Sequence, residues 1–395
     1  MMGNSPMTNP VRFGGIGKEF FGIWIVNLLL SVITIGIYSA WAKVRTKRYF
    51  YGNTSISGDH FEYHAQPIQI LKGRLVVFAV VVFWSIIGNI SPTFSMALLC
   101  VFYLALPWLL WSNARFDAVM TSYRNVHFSF SATLKDAYIT ILGRGFVAFV
   151  ATMAYFFIVG MAASLSKTSP MIPIILGVGS LFVLAVLYAW VIAGVQKLFA
   201  NSYQYGNWQF KAELTNAFFI KTYLKAVLIG VVAAIILVFV LGLSIAREVD
   251  FYGLLSGDPS SLMNDSMFSL FIFGYVILLS LFIALSAYIT TCIRNHVFEQ
   301  LCLNNNLDTV IGYQFNSSFT VKGYVWLVVS NFFLQVVTLG IARPWIMVRT
   351  ARYVADNTKV IGDLDLLTAI DQRSNVKSAV SDEMAQAFDL SIGIS

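Results

Sequence analysis

Residues 226–245 read AVLIGVVAAIILVFVLGLSI, an apolar run without one charged side chain. A helix of about 20 residues spans the roughly 30 Å hydrocarbon core of a bilayer, and this run has that length. The whole chain shares its character, since 58% of its 395 residues are hydrophobic and 11% are charged. Soluble domains carry about a quarter charged residues, so this chain is too poor in polar surface to form a water-facing shell. We therefore predict an integral membrane protein.

Other apolar stretches extend this prediction to a polytopic fold. The six clear spans are Leu75–Ile90, Phe94–Trp111, Phe146–Leu165, Pro173–Val195, Ala226–Ile245 and Phe268–Ile293. Two further segments, Phe20–Trp41 and Tyr324–Trp345, are interrupted by glycine. The long alternating strands of a membrane barrel are absent, so we predict an all-α membrane protein with short cytoplasmic β-hairpin-like connectors.

The two interrupted segments lie in related stretches at the ends of the chain. Residues 27–59 align without gaps on residues 331–363, at a constant offset of 304. The matches include Asn27 with Asn331, Gly36 with Gly340, Trp41 with Trp345, Arg45 with Arg349, Arg48 with Arg352, Tyr49 with Tyr353, and Gly58-Asp59 with Gly362-Asp363. Because such residue types rarely coincide by chance, we predict that units 13–59 and 315–363 form a repeat.

A looser pattern runs through the middle of the chain. A basic residue ends an apolar span and an asparagine follows ten residues later, as in Lys43/Asn53, Arg115/Asn125, Lys197/Asn207 and Arg294/Asn304. Short aromatic, strand-like pieces come next, at residues 61–63, 128–130, 208–210 and 313–315, and helix-start residues such as Thr133, Thr215 and Thr320 come after several of them. This pattern predicts one membrane domain of repeated units over residues 20–367, between a cytoplasmic segment 1–19 and a flexible cytoplasmic tail 368–395.

The distribution of basic residues indicates on which side of the membrane these connectors lie. Basic residues gather at the strand-like connectors, whereas loop 88–93 on the far side has none and loop 247–267 has one arginine against four acidic residues. By the positive-inside rule the connectors and both termini are cytoplasmic. Full crossing by the two interrupted segments would place basic residues of both chain ends outside. We therefore hypothesise that these segments are re-entrant and turn at Gly36 and Gly340, while eight ordinary spans with imperfect charge bias stay an equal alternative.

These repeated residues also carry a family resemblance. The run from Phe13 through Asn27, the ITIGIY motif at residues 33–38, Trp41 and Arg48-Tyr49 resembles the YjgN family of bacterial inner-membrane proteins. Arg294-Asn295-His296 and the closing Asn357 and Gly362-Asp363-Leu364-Asp365 share the resemblance, which covers nearly the whole chain. It implies a multi-pass protein of the bacterial inner membrane, and it implies no substrate, catalytic residue or cofactor.

Two sets of residues are candidates for function. Asn27, Ser31, Gly36, Asn331, Gln335 and Gly340 could line a path for a solute, although hydrogen bonding between helices is the favoured explanation of the amides. The clusters Trp41, Arg45, Arg48, Tyr49 and Trp345, Arg349, Arg352, Tyr353 could bind lipid headgroups, with generic interfacial anchoring as the favoured alternative.

Other chemistry has little support. The centres of the six spans hold no Asp, Glu, Lys, Arg or His, which argues against a proton-coupled transporter. We expect no metal, no cofactor and no nucleic-acid partner, and an enzyme is the least favoured class, with Asp117, His127 and His296 left open as a cytoplasmic site. The best prediction is a channel or transporter-like protein for a small or lipidic solute, with its site near the repeat interface. The alternative is a non-catalytic, lipid-interacting envelope scaffold; membrane lipids are the expected partners and homo-oligomer formation stays open.

Overall fold

A computed structural model describes residues 7–165, 171–248, 265–305 and 311–371. The helices are α1 Gly17–Ile33, α2 Ser39–Gly52, α3 Pro67–Ile90, α4 Pro92–Val119, α5 Leu134–Ala137, α6 Arg144–Leu165, α7 Met171–Ala200, α8 Asn216–Glu248, α9 Asp265–Gln300, α10 Val321–Val337 and α11 Arg343–Asp356. The strands are β1 Thr8–Phe13, β2 Thr54–Ile56, β3 Asp59–Tyr63, β4 Thr121–Tyr123, β5 Val126–Phe130, β6 Tyr203–Tyr205, β7 Trp208–Ala212, β8 Leu301–Asn305, β9 Ile311–Ser317 and β10 Thr358–Ile361. A wide π-helical turn joins α5 to α6.

The ten strands form one closed antiparallel barrel, so the prediction of an all-α fold is wrong. Four sequential hairpins supply β2 to β9, and β1 pairs with β10 and with β2 to close the ring. The strand-like pieces were predicted at the right places, in β3, β5, β7 and β9. Their pairing into one sheet could not be predicted from the sequence. Strands of three to seven residues are too short for an alternation of apolar and polar side chains to indicate a common sheet, and neighbouring hairpins are separated by whole helical pairs.

The helices form a ring on the rim of this barrel. Helical pairs alternate with the strand hairpins along the chain, each helix packs on its sequence neighbours, and α11 returns to pack on α1. Within the described residues, six helical stretches are long and apolar enough to cross a membrane, and they match the six predicted spans. These are Pro67–Ile90, Pro92–Val119, Leu134–Leu165, Met171–Ala200, Asn216–Ser244 and Phe268–Gln300.

The two glycine-interrupted segments form short helical pairs that leave the barrel and return to it. Helix α1 reverses into α2 at Gly36, with φ of +87°, and α10 reverses into α11 at Gly340, with φ of +89°. At about 1.5 Å per residue, α1 is near 26 Å long and α3 near 36 Å, so the terminal pairs are the shorter ones. Ile35 and Leu339 at the two tips are 95% and 92% exposed, which makes each tip apolar.

Aromatic side chains fill the barrel. The rings of Phe61, Phe128, Phe210 and Phe315 follow one another around the lumen, with centroids 5.6–6.4 Å apart. Beyond them, Tyr123, Tyr205, Tyr313, Leu303 and Val360 are buried in the same core. The axis of the barrel is therefore occupied by packed side chains.

A segment after β10, which we call the strap (residues 363–371), covers the end of the barrel that faces away from the helices. Arg124 Nη1 donates to the Leu364 carbonyl at 2.5 Å, and Trp208 Nε1 donates to the Thr368 carbonyl at 3.2 Å. Asp371 accepts from the His127 backbone N–H at 3.3 Å. The predicted tail therefore begins as an ordered contact, and residues 372–395 lie outside the described part.

The asparagines of the looser pattern do not occupy equivalent positions. Asn53 follows the last residue of α2, Asn125 and Asn207 lie in hairpin turns, and Asn304 lies within β8. Helix ends and hairpin turns both favour asparagine, which explains how a regular spacing arose from different local structures. The predicted helix starts are sounder, because the Thr133 and Thr320 hydroxyls both accept from the first turn of a helix.

Candidate functional site

A cavity of about 480 Å³ opens between the first helical pair, α3 and α11. We call it the cationic groove. Its walls are formed by Phe20, Trp24, Asn27, Leu28 and Ser31 of α1, Ser39, Ala42, Lys43, Thr46 and Lys47 of α2, Arg74 of α3, and Arg343 and Met347 of α11. The groove runs along α2 from Lys47 near the barrel to Ser39 near the tip, a distance of about 12 Å.

Four cationic side chains converge on this groove. Lys43 and Lys47 are one helical turn apart on α2, and Arg343 approaches from the start of α11. Arg74 donates a hydrogen bond to the Ser39 hydroxyl, which places its guanidinium near the tip of the pair. Among the described residues that form the wall there is no carboxylate. Like charges held this close repel one another, so the arrangement favours an anion between them.

One carboxylate, that of Asp117, lies next to Lys47 without lining the groove. Asp117 of α4 accepts from Lys47 Nζ at 2.6 Å and from the Tyr63 hydroxyl at 3.3 Å, through the same oxygen. The lysine ammonium also lies 5.0 Å from the centre of the Tyr63 ring. The pKa of Tyr203 on the nearby strand β6 is raised, mainly by burial and then by the charge of Asp117. Asp117 thus links the groove to the mouth of the barrel.

Asn27 contributes a buried amide to the same groove. Its side chain is 4% exposed, and its oxygen accepts from Arg45 Nη1 at 3.2 Å. The amide nitrogen Nδ2 has no hydrogen-bond partner among the described residues. A buried donor without an acceptor costs about 1–3 kcal/mol, so an acceptor supplied by a ligand would be stabilising here.

Asn331, the counterpart of Asn27 in the last unit, has hydrogen-bond partners for both its amide oxygen and its amide nitrogen. Asn331 accepts from Arg349 Nη1 at 3.4 Å, and its Nδ2 donates to the Thr350 hydroxyl at 3.2 Å. At the positions matching Lys43 and Lys47, this unit carries Met347 and Ala351. The two units share the Asn–Arg pair, and the first unit alone combines it with the two lysines.

The predicted path residues are partly brought together. Asn27 and Ser31 line the groove, and the Ser31 hydroxyl donates to the Asn27 carbonyl at 2.7 Å. Gly36 and Gly340 are turn residues at the two tips. Gln335 lies beside Gly340, at the far end of the second pair, and its carbonyl accepts from the Gly340 N–H at 2.9 Å.

The predicted headgroup residues mostly hold helices to the barrel. Arg48 donates to the carbonyls of Tyr63 and Ala65, where the chain leaves β3. Arg352 does the same at the carbonyl of Gly15, where the chain leaves β1. Tyr49 accepts from the Ile16 N–H at 2.9 Å. These contacts explain why both units retain the residues.

The remaining aromatic and arginine candidates also have partners within the protein. The Tyr353 hydroxyl bonds the carbonyl of Thr320 at 3.4 Å, and Trp41 stacks on Tyr38. Trp345 stacks on Phe21, and a side chain at Gly17 would collide with its indole. Arg45 and Arg349 orient the two asparagines from behind.

The three residues left open for catalysis have separate partners. Asp117 pairs with Lys47, His127 Nδ1 lies 3.3 Å from a carboxylate oxygen of Asp371, and His296 stacks on Phe218. No contact among the described residues joins them. Within the same residues there is no group of three or more His, Cys, Asp or Glu side chains placed to hold a metal ion.

Lys43, Lys47, Arg74 and Arg343 were not predicted as site residues. A signal for three of them was present in the alignment of the two units, because Lys43 matches Met347, Lys47 matches Ala351 and Arg343 matches Ser39. Positions where one unit carries a charge and its counterpart does not therefore include three of the four groove cations, two in the first unit and one in the last. Arg74 lies outside both aligned stretches and carries no such signal.

Comparison with known proteins places this architecture in a family. A family model described as a bacterial protein of unknown function, DUF898, matches residues 8–387. The chain belongs to this family. No solved structure matches it.

Named relatives of this DUF898 protein are inner membrane proteins. It is 27% identical to the inner membrane protein YjgN of Salmonella typhimurium strain LT2 over 365 residues, covering 90% of this chain and 89% of the relative. It is 29% identical to YjgN of Escherichia coli O157:H7 over 390 residues, covering 91% and 90%, and 27% identical to YjgN of strain K12 over 386 residues. The resemblance to the YjgN family is confirmed, and with the six apolar helices it identifies a multi-pass inner membrane protein.

Proposed function

We propose that this protein binds the anionic, phosphate-bearing headgroup of a membrane lipid in the cationic groove, as a transporter-like protein for a lipidic solute. The observation that carries the proposal is the convergence of four cations on a cavity whose wall also includes Asn27, a buried residue with an unpartnered amide nitrogen. Phosphate oxygens accept hydrogen bonds from all five groups, and charge-assisted bonds are the strong ones.

The position of the groove supports a lipid as the source of that anion. Its walls include Trp24, Leu28 and Met347 beside the cations, so an amphiphilic molecule matches the surface. Arg343 and Arg74 lie near the apolar tip, on the side away from the barrel. Ionisable groups at membrane depth are costly and usually serve ligand or ion pathways.

Closure of the barrel supports a lateral route over an axial channel. The lumen is filled by the ring of phenylalanines and the tyrosines beyond it. A solute that passed along the axis would have to displace this core, whereas the groove opens between helices. We also propose that the barrel lies in the cytoplasm, because the basic residues of the helix ends lie on its side.

Lipid binding by the purified full chain in nanodiscs tests the proposal. The substitutions Lys43→Met and Arg343→Ser replace two cations by the residues that their counterparts carry at positions 347 and 39. Each basic residue near an anionic surface contributes about 1 kcal/mol, so the double variant should bind phosphatidylglycerol roughly 30-fold more weakly. Binding of phosphatidylcholine should not change.

A matched pair of lysines provides the control. Lys221 and Lys225 of α8 are also one helical turn apart near the barrel, both are exposed, and they lie outside the groove. Lys221→Gln with Lys225→Gln should leave phosphatidylglycerol binding unchanged. A second arm measures glycerol 3-phosphate, since tight binding of this soluble anion would assign the groove to a free phosphate instead. Equal losses in both double variants would contradict the proposal.

A further inference from the structure

We infer that Asp117 is a built-in counter-ion, which neutralises Lys47 when no ligand is bound and yields that lysine to the incoming anion. The inference rests on the proposed function and concerns the control of the same site. Lys47 has two faces: its side chain lines the cationic groove, and its ammonium bonds Asp117 at 2.6 Å. The ammonium has three N–H donors, but its single positive charge offsets only one of two neighbouring anions, so ligand and Asp117 compete for it.

The surroundings of Asp117 suit a displaceable partner. Its side chain and that of Lys47 are 28% and 21% exposed, so water can solvate either one after the pair separates. An ion pair that water can reach is typically worth about 1 kcal/mol or less, and a phosphate with several charged oxygens can replace the carboxylate as the partner of the ammonium. The Tyr63 hydroxyl bonds the same carboxylate oxygen and stays as its partner when Lys47 turns away.

The exchange also connects two units of the fold. Lys47 belongs to the first helical pair, Asp117 to the second, and Tyr63 to strand β3 between them. Ligand binding would remove the ion pair between α2 and α4 at the mouth of the barrel. Occupancy of the groove is then coupled to this contact between the first two helical pairs.

The test compares Asp117→Asn, Lys47→Gln and the double variant for phosphatidylglycerol binding in nanodiscs. Asp117→Asn frees Lys47 for the ligand and should tighten binding about tenfold, while Lys47→Gln weakens it. The decisive comparison is the double variant: once Lys47 is gone, Asp117→Asn should have almost no effect. An equal gain from Asp117→Asn in the presence and absence of Lys47 would show general repulsion of anions by the carboxylate, and would overturn the inference.

Two further measurements separate folding and the parent proposal from this inference. Asp117→Glu keeps the pair and should bind like the wild type, and size-exclusion profiles in detergent confirm that each variant folds. Wild-type protein without preference for phosphatidylglycerol over phosphatidylcholine would refute the proposed function. A wild-type preference that Asp117→Asn leaves unchanged or weakens would refute the counter-ion alone.

Discussion

Two asparagines 304 residues apart have arginine partners at equivalent positions but different surroundings. The Asn331 amide is satisfied on both sides, by Arg349 and by Thr350. The Asn27 amide is satisfied on its oxygen side by Arg45, whereas its buried nitrogen has no partner among the described residues, although Asn27 and Thr46 line the same cavity. Hydrogen bonding between helices therefore accounts fully for one asparagine and for half of the other.

Asn27→Asp isolates this difference without changing size. A carboxylate still accepts from Arg45, but it replaces the amide donor by an oxygen that repels an anion. The lost bond to a charged acceptor is worth about 1.5–3 kcal/mol, so phosphatidylglycerol should bind at least tenfold more weakly in nanodiscs. The matched control is Asn331→Asp, where the Thr350 hydroxyl can donate to the new oxygen and binding should stay at the wild-type level. Similar losses at both positions would assign Asn27 a structural role.

For individual residues, the sequence predicted the matched positions of the two units better than the full set of residues that line the groove. Asn27 and Ser31 were identified from their matched positions, and both line the groove. Arg74 could not be found in this way, because its place depends on how α3 packs against the tip of α1 and α2. That packing involves apolar faces without a distinctive pattern, so no local signal specifies it.

Among the elements, the reversal of the short helical pairs is the best-specified feature. Ser31 and Gln335 carbonyls accept from the N–H groups of Gly36 and Gly340, five residues on, and the preceding residues Ile35 and Leu339 have φ of +50° and +49°. Two successive left-handed residues end a helix sharply, and glycine is the residue that adopts this conformation without strain. The same four-residue geometry at both tips explains why these glycines were recognisable from sequence alone.

Gly36→Ala tests this backbone requirement. An added Cβ would meet no atom within 4 Å, so the expected cost comes from the left-handed conformation and should be about 1–2 kcal/mol. Thermal unfolding in detergent, followed by fluorescence-detected size exclusion, should show a lower midpoint. Gly22→Ala in the middle of α1 also meets open space, but there the backbone is helical, and stability should be unchanged or improved. A Gly22→Ala loss as large as that of Gly36→Ala would point to helix packing in place of turn strain.

The strands were harder to recognise as a sheet than the helices were as spans. A run of about 20 apolar residues is enough to predict a membrane span, whereas β2, β4 and β6 are only three residues long each. Closure of the barrel stabilises these short strands. Each three-residue strand is hydrogen-bonded to a strand on either side, and all strands enclose a shared aromatic core. Closure depends on β1 meeting β10 across almost the whole chain, which no local pattern encodes.

For the molecule as a whole, the barrel explains the one-sided charge. Each helical pair starts and ends on the barrel rim, so each unit returns its basic helix ends to the same side. The six spans are long enough to cross, and the two terminal pairs are shorter and end in exposed apolar tips. A barrel in the cytoplasm and tips within the hydrocarbon would satisfy both the charge distribution and these tips.

Single cysteines introduced into a chain whose native Cys100, Cys292 and Cys302 are replaced by serine test this arrangement. Thr93, in the first turn of α4, lies at the end of the spans opposite the barrel, and Ser57 lies in a hairpin turn of the barrel. With a membrane-impermeant maleimide, Thr93→Cys should be labelled in intact cells and Ser57→Cys only after permeabilisation.

The informative position is Ile35→Cys, at the tip of the first pair. It should resist the reagent in both conditions, because a thiol within hydrocarbon does not ionise and the reagent does not enter, and it should react only after solubilisation in detergent. Thr93→Cys and Ser57→Cys serve as the outside and inside controls on the same gel. Labelling of Ile35→Cys in intact cells would mean that the first pair crosses the membrane, which would leave the cationic groove exposed to the outside and exclude a re-entrant headgroup site.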